Sequence, residues 1–505
     1  MERSGIPRQR NGSGMNVARR KTVIIGAGLG GLAAALRLAS EGWEVVVCEQ
    51  AGSPGGKMNR LESHGFRFDT GPSLITMPWV FEELFQAAGA RLEEHLEFKQ
   101  VFPLAEYFFD DGERFTHSPI LYDWLNTVRR LEGGSADGFM EFMRLGARLY
   151  EVSRETFFKQ VPFERPDTSA LRALRHLPLR HGFSNYHRVV RRYFRDPHLI
   201  QMFDRYTTYV GSSPWQTPST LSVIPFIEYA YGGRHIRGGL YRLIEVLVEL
   251  IQRKGGLVRV CSRVERIRLQ NERVAGVELA NGEFLPAEVV IMNGDASVTP
   301  RLLGHPWTPL PESERSLSGL VFLLGLRRTL EGRPHHSVFF SADYPREFDE
   351  LFEQRRLPDD PTVYMNMPSR TDRSMTPGAG EVMFVMANAP ANDHDAWDEA
   401  MVASARKRVF QRLEKSGFPA FERDVVFSSV WTPRQMAEVY DMPGGSIYGT
   451  NSHGWKHAFL RPPNRNRRIR GLYHVGGSTH PGGGTPTVLM SAAITCRLIK
   501  KYDRN

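Results

Sequence analysis

Residues 21–49 read KTVIIGAGLGGLAAALRLASEGWEVVVCE, and the order of residue types in this stretch decides the fold. KTVII is a continuous apolar run, the pattern of a strand buried on both faces of a parallel sheet. GAGLGG comes next and places Gly26, Gly28 and Gly31 in the spacing GxGxxG. The next segment carries Leu32, Ala35, Leu36 and Ala39 at helical spacing and closes on Gly42. EVVVCE (44–49) returns as a second strand. In such a β-α-β unit the first glycine permits the tight turn and the second lets backbone approach a pyrophosphate. The third lets helix and strand pack closely. The helix N-terminus then faces the diphosphate charge. Glu49 stands 18 residues beyond Gly31, where a carboxylate accepts hydrogen bonds from ribose hydroxyls. The expected ligand is a dinucleotide.

The residues beyond this unit separate the two common dinucleotides. AGSPGGKMNR (51–60) adds a second glycine pair, Gly55 and Gly56, with Lys57 and Arg60 behind it. FRFDTGPSLITMP (66–78) adds a third strand and a turn at Gly71, Pro72 and Ser73. A simple NAD domain needs neither. Near the C-terminus, VGGSTHPGGGTPTVLMSA (475–492) sets five glycines and two prolines around His480. Pro486 suits the first turn of a helix, and a helix N-terminus aimed at a glycine-rich loop is an anion site.

These segments resemble the flavoprotein superfamily of amine oxidases, protoporphyrinogen oxidase and carotenoid desaturases. FDTGPSLITMP, GSIYGTNSHGWKHAFLRPPNR (445–465) and GLYHVGGSTHPGGGTPTVLMSA together look like the bacterial and fungal phytoene desaturase family. The resemblance runs from Lys21 onward and is strongest at both ends of the chain. It implies a discontinuous Rossmann-type FAD-binding domain with an inserted α+β substrate domain. It also implies that Gly477, Ser478 and the backbone around Thr487 and Val488 lie along the ribityl chain and pyrimidine edge of the flavin. Val264 is assigned to the same cofactor site. Many members of the superfamily have Arg where this chain has Lys57, and Asp near the position of Ser478.

The bulk properties agree with a folded chain of more than one domain. The 505 residues are 41% apolar and 24% charged. Cys48, Cys261 and Cys496 are far apart, which argues against a disulfide framework. No HExxH, CxxC or GxSxG motif is present, and no metal site is expected. The longest apolar run, GLVFLLGL (319–326), is of strand length and too short to span a bilayer. The net charge of +9 gathers in three places: a tail at 1–20 read as disordered, LRALRHLPLRHGFSNYHRVVRRYFRD (171–196), and RPPNRNRRIR (461–470). The second could lie on anionic lipid or form a solvated helix face. The third reads as an exposed loop.

The expected division places the FAD-binding domain in 21–100, 236–305 and 440–505. Residues 101–235 and 306–439 form the substrate-binding, membrane-facing part. Strands are expected around Asn281-Gly282 and in SLSGLVFLLGL and EVMFVMAN, and a helix near 394–416.

The resemblance implies dehydrogenation of a linear isoprenoid polyene such as phytoene, dehydrosqualene or a hydroxylated carotenoid. Polyene C–H bonds are not acidic, so hydride loss precedes proton loss, and the protein supplies chiefly orientation in a dry tunnel. His480 is the most tempting titratable group for catalysis, with a turn-holding role favoured; Asp204, Glu228 and Arg205 are further candidates of the same rank. Reoxidation by oxygen or a membrane quinone, a cytoplasmic location with peripheral membrane contact, and no nucleic-acid partner complete the reading. A carotenoid oxygenase forming a terminal aldehyde, an amine oxidase and a flavin-free prenyl-binding escort protein are the alternatives.

Overall fold

Five parallel strands form the sheet that begins the chain, in the order 472–474, 289–292, 21–25, 44–48 and 257–259. This is a computed structural model, and it describes residues 20–161, 164, 168–176 and 184–503. The basic tail before Arg20 and residues 177–183 of the arginine-rich stretch lie outside the described residues. Helix Leu29–Ser40 is buried on nearly every side, which its run of small alanines permits. It packs against helix Arg242–Arg253 and the C-terminal helix Thr485–Tyr502. The two ends of the chain therefore meet in one layered α/β unit.

A second sheet has seven strands in the order 425–431, 318–326, 381–389, 363–366, 336–339, 105–108 and 114–117. Its strand Ser318–Leu326 explains the long apolar run seen in the sequence. Leu320, Phe322, Leu324 and Leu326 face a cluster with Val409 and Leu413 of helix Glu399–Lys415. Val321 and Leu323 face the opposite cluster with Phe66 and Phe68 of the hairpin 60–69. Both faces are covered, so alternation in polarity disappears while alternation in direction remains.

Two β-rich stretches on either side of the Asn281-Gly282 turn each divide between sheets. LVRVCSRVERIRLQ gives Leu257–Arg259 in the parallel sheet and Val264–Gln270 in a three-stranded antiparallel sheet. EFLPAEVVIMN likewise gives Phe284–Pro286 and Val289–Met292. Residues 101–235, rich in helices, also supply strands Ala105–Phe108 and Arg114–His117 to the large sheet. Among the described residues no helix is long and apolar enough to cross a membrane.

Candidate active site

Gly28 caps helix Leu29–Ser40, and the loop before it is closed by a bond from Gly26 N–H to the Cys48 carbonyl at 2.7 Å. A Cβ on Gly31 would lie 2.3 Å from the Gly26 carbonyl oxygen, so only glycine allows helix and turn to meet. The second glycine pair docks on the first: Gly55 N–H donates to the Ala27 carbonyl at 2.8 Å. Gly55 holds φ at +121°, a backbone that side chains rarely adopt. Glu49, nearly buried, sits where the two loops meet. One carboxylate oxygen accepts from Ala27 N–H at 2.8 Å and the other from Ala51 N–H at 2.9 Å. Each oxygen keeps a lone pair for a further donor.

The C-terminal loop completes the cradle. Ser478 Oγ accepts from Ala296 N–H at 2.9 Å, tying this loop to the turn after strand Val289–Met292. Gly477 lies beside Gly483, and Val488 packs against Gly30. Thr487 Oγ1 donates to the Gly483 and Gly484 carbonyls at 2.7 and 2.9 Å, fixing the first turn of helix Thr485–Tyr502. The leading N–H groups of that helix lack intrahelical partners and carry its positive dipole end. Gly71 and Pro72 line the adjoining cavity, and Gly71 presses against the Lys57 carbonyl. Val264 begins the antiparallel sheet and is buried with Val23 and Cys48.

Lys57 donates to the Ile447 carbonyl at 2.5 Å. Its side chain keeps solvent access, yet protein packs closely around it. That desolvation pushes the ammonium below its ordinary value, with Asp295 acting in the opposite sense. Two residues absent from the expected site complete this end. Asn293 donates to the Gly26 carbonyl at 3.1 Å and fills the space that Cβ atoms on Gly28, Gly30 and Gly31 would need. Arg461, in a stretch whose sequence reads as an exposed loop, is 5% exposed. It donates to the Tyr448 carbonyl at 3.1 Å and Ser452 Oγ at 3.3 Å, and packs on Gly482. Burial pushes its guanidinium down to about 10, with Asp295 opposing. The exposed-loop reading fails here because Asn464 is also fully buried, bonded to the His480 carbonyl, Ser491 and Thr495.

A cavity of about 430 Å³ opens from this C-terminal loop toward the seven-stranded sheet. Its wall joins Gly482–Thr487 to Leu74, Phe158, Leu221, Ile224 and Ile227, with Tyr364 and Phe384 from the large sheet. Glu228 is the sole carboxylate among the described residues of the wall. Tyr206 donates to one of its oxygens at 2.5 Å and Tyr209 to the other at 3.0 Å. Burial raises its pKa against those two bonds and the Arg205 charge. Asp204 pairs instead with His187 at 2.6 Å and is not part of the wall. His480 is also outside it. The ring bonds to the Gln160 carbonyl at 3.0 Å, stands edge-on to Phe157, and burial pushes its pKa down to about 4.

The comparisons with known proteins fit this geometry. A sequence profile described as "Flavin containing amine oxidoreductase" matches residues 29–500. The chain belongs to that family. It is 34% identical over 489 residues to a 4,4'-diapolycopene oxygenase of Methylomonas sp., covering 94% of this chain and 97% of that one. It is equally 34% identical to a zeta-carotene-forming phytoene desaturase of Myxococcus xanthus, covering 94% and 93%. A 1-hydroxycarotenoid 3,4-desaturase of Flavobacterium sp. (strain P99-3) matches at 34% over 95% and 99%. These place it in the phytoene desaturase group of the family. Among solved structures, an oxidoreductase from Methanosarcina mazei superposes with a TM-score of 0.64 at 17% identity, covering 94% and 99%. A putrescine oxidase superposes at 0.60 with 14% identity, covering 96% and 99%. The amine-oxidase-like fold is thereby shown, and the enzyme is an FAD-dependent oxidoreductase. The bare-backbone cradle at Gly26–Gly31, Gly55 and Gly476–Gly484, with Glu49 beside it, suits the phosphates and ribose of FAD.

Proposed function

We propose that the protein dehydrogenates a linear isoprenoid polyene, introducing C=C bonds. One observation carries the reading: the cavity beside the C-terminal loop is largely apolar and, among its described residues, holds two arginines and a single carboxylate that is occupied by two tyrosines. FAD, when bound, supplies the two-electron acceptor for a hydride. The chain's residues do the rest. Leu221, Ile224, Ile227 and Phe158 hold an apolar chain and exclude water, so the reacting segment is positioned rather than ionised. Glu228, tied as it is, cannot swing to the substrate, which suits a reaction whose proton leaves last and to a weak acceptor.

The same wall disfavours an amine substrate. Arg205 and Arg461 line it against the single carboxylate of Glu228 among its described residues, so its net charge is positive and an alkylammonium entering this low-dielectric space is repelled. Glu49 and the glycine cradle also leave no reason for a flavin-free escort role. The aldehyde-forming oxygenase remains the rival, since a relative with that kind of name is equally similar.

Gly26, Gly28, Gly31, Glu49, Gly55, Gly56, Lys57, Gly71, Pro72, Val264, Gly477, Ser478, Thr487 and Val488 are proposed as the FAD contacts. We propose 21–100, 236–305 and 440–505 as the FAD-binding part and 101–235 and 306–439 as the substrate part. Peripheral membrane contact fits exposed Ile120, Leu121 and Tyr122 at the start of helix Leu121–Leu131, whose last turn carries Arg129 and Arg130. Exposed Leu171 and Leu174 beside Arg172 and Arg175 fit it as well. Oxygen or a membrane quinone would reoxidise the cofactor. Expression in cells that make phytoene, dehydrosqualene, lycopene or a hydroxylated carotenoid tests the reading. Products lighter by pairs of hydrogens and shifted to the red support it. Products heavier by oxygen favour the oxygenase. Unchanged pigments in every strain with a folded yellow protein overturn both.

A further inference from the structure

The cavity wall contains a cation that the fold leaves unanswered. Four arginines among the described residues are nearly buried: Arg205, Arg315, Arg412 and Arg461. Three have their acceptors. Arg315 meets Asp393 at 2.6 Å and the Leu310 carbonyl at 2.8 Å. Arg412 meets Asp110 at 2.6 Å and Asp360 at 3.1 Å. Arg461 meets the Tyr448 carbonyl and Ser452. Arg205, 8% exposed, has one long contact among the described residues, from Nη1 to Tyr209 Oη at 3.4 Å, and no ion pair.

A guanidinium carries five N–H donors, and burying it without acceptors is strongly unfavourable. Arg205 is held instead over the faces of Tyr209, Tyr364 and Tyr107, at 5.2, 5.8 and 6.0 Å. Those rings stabilise the charge without using its N–H groups. Glu228 balances the charge from nearby, but Tyr206 and Tyr209 already donate to its two oxygens. The cluster is thus roughly neutral overall and rich in donors, and it faces the cavity. Such a site suits a neutral oxygen acceptor better than an anion.

Its position bears on the reaction. Tyr364 Oη bonds to Ser73 Oγ at 2.6 Å, and Ser73 adjoins the Gly71-Pro72 turn. The cluster is therefore linked directly to the loop proposed to contact the flavin. We infer that Arg205 is a specificity-determining residue that receives a hydroxyl or carbonyl oxygen at one end of the polyene. The oxygen-bearing terminus is held there and the adjacent carbons are the ones oxidised. This inference rests on the polyene reading of the same cavity.

The test uses the purified FAD-loaded enzyme with two polyenes in lipid vesicles. One carries a tertiary hydroxyl at one end; the other is the hydrocarbon of equal length and unsaturation. Wild type should prefer the hydroxylated polyene in kcat/KM by about tenfold or more, as a hydrogen bond to a charged donor implies. Arg205→Met should abolish most of that preference. Arg205→Lys, which keeps the charge without the planar fork, should show an intermediate one. FAD content and thermal unfolding are read on each variant. Equal turnover of both polyenes by wild type overturns the subsite while leaving the polyene reading intact. Full preference in Arg205→Met, or in Arg205→Lys if the Met variant does not fold, overturns it equally. Turnover of neither polyene by a yellow wild-type enzyme overturns the reading on which the subsite rests.

Discussion

Asn293 donates from Nδ2 to the Gly26 carbonyl at 3.1 Å, joining residues 267 positions apart in the chain. The bond fastens the nucleotide loop to the neighbouring strand of the parallel sheet. Replacing Asn293 with Ala leaves the Gly26 carbonyl short of a donor and the loop free to shift. A loss of about 1.4 kcal/mol corresponds to tenfold weaker binding. Titration of apoenzyme with FAD, monitored by flavin fluorescence, should show a dissociation constant raised by about that factor.

Gly31→Ala should be more severe. Its Cβ would lie 2.3 Å from a backbone oxygen that has no room to retreat, because the helix and turn are both packed. Overpacking of this kind costs roughly 1–3 kcal/mol. The variant should purify with little bound flavin and a lowered unfolding temperature. A variant with full flavin content would show that the turn is looser than its contacts imply.

His480 bonds to the Gln160 carbonyl and lies outside the cavity wall. A positioning role predicts that His480→Gln lowers kcat by less than about tenfold while reducing thermal stability. Loss of a general base would lower kcat by about 10²–10⁴. With its pKa held near 4 by burial, this histidine should contribute no kinetic ionisation at neutral pH.

Arg461 brings a buried positive charge to the C-terminal glycine loop. A cation there favours the more negative, reduced form of the bound flavin. Arg461→Met should lower the midpoint potential by tens of millivolts, where about 30 mV corresponds to 1.4 kcal/mol for two electrons. Spectroelectrochemistry on the purified variant measures it, and an unchanged potential would remove Arg461 from this role.

Glu347 gives a pH prediction away from the site. It is 1% exposed and accepts from Ser341 Oγ, Thr362 Oγ1 and Thr362 N–H. Burial raises its pKa from 4.5 to about 7, against those bonds. The folded state therefore holds a proton that the unfolded chain has released between these values. Its contribution to stability is fully present below about pH 4.5 and is lost as pH rises toward 7. Glu347→Gln should flatten the fall in unfolding free energy across that window.

The sequence made the nucleotide half of the fold legible because its signals are local. Gly26, Gly28 and Gly31 sit between a strand and a helix, and Pro486 marks the first turn of helix Thr485–Tyr502. Asn293 and Arg461 were not legible. Neither belongs to a spaced motif, and each acquires its place only when distant strands or loops come together. Arg461 was further hidden by its neighbours: Arg467, Arg468 and Arg470 make the stretch look uniformly exposed, whereas Arg461 and Asn464 turn inward. The aromatic residues of YFRDPHLIQMFDRYTTYVG (193–211) and FIEYAYGG (226–233) suit plain core and a cavity wall equally well in sequence. The fold makes them both, since Phe203 is core while Tyr209 and Ile227 line the cavity.

On the proposed function a linear polyene, not an amine, reduces the cofactor. The most direct measurement mixes purified yellow enzyme anaerobically with such polyenes in vesicles and, separately, with an alkylamine. The expected result is bleaching of the flavin absorbance by at least one polyene, with a product lighter by two hydrogens, and none by the amine. Bleaching by the amine with every polyene unchanged would contradict it.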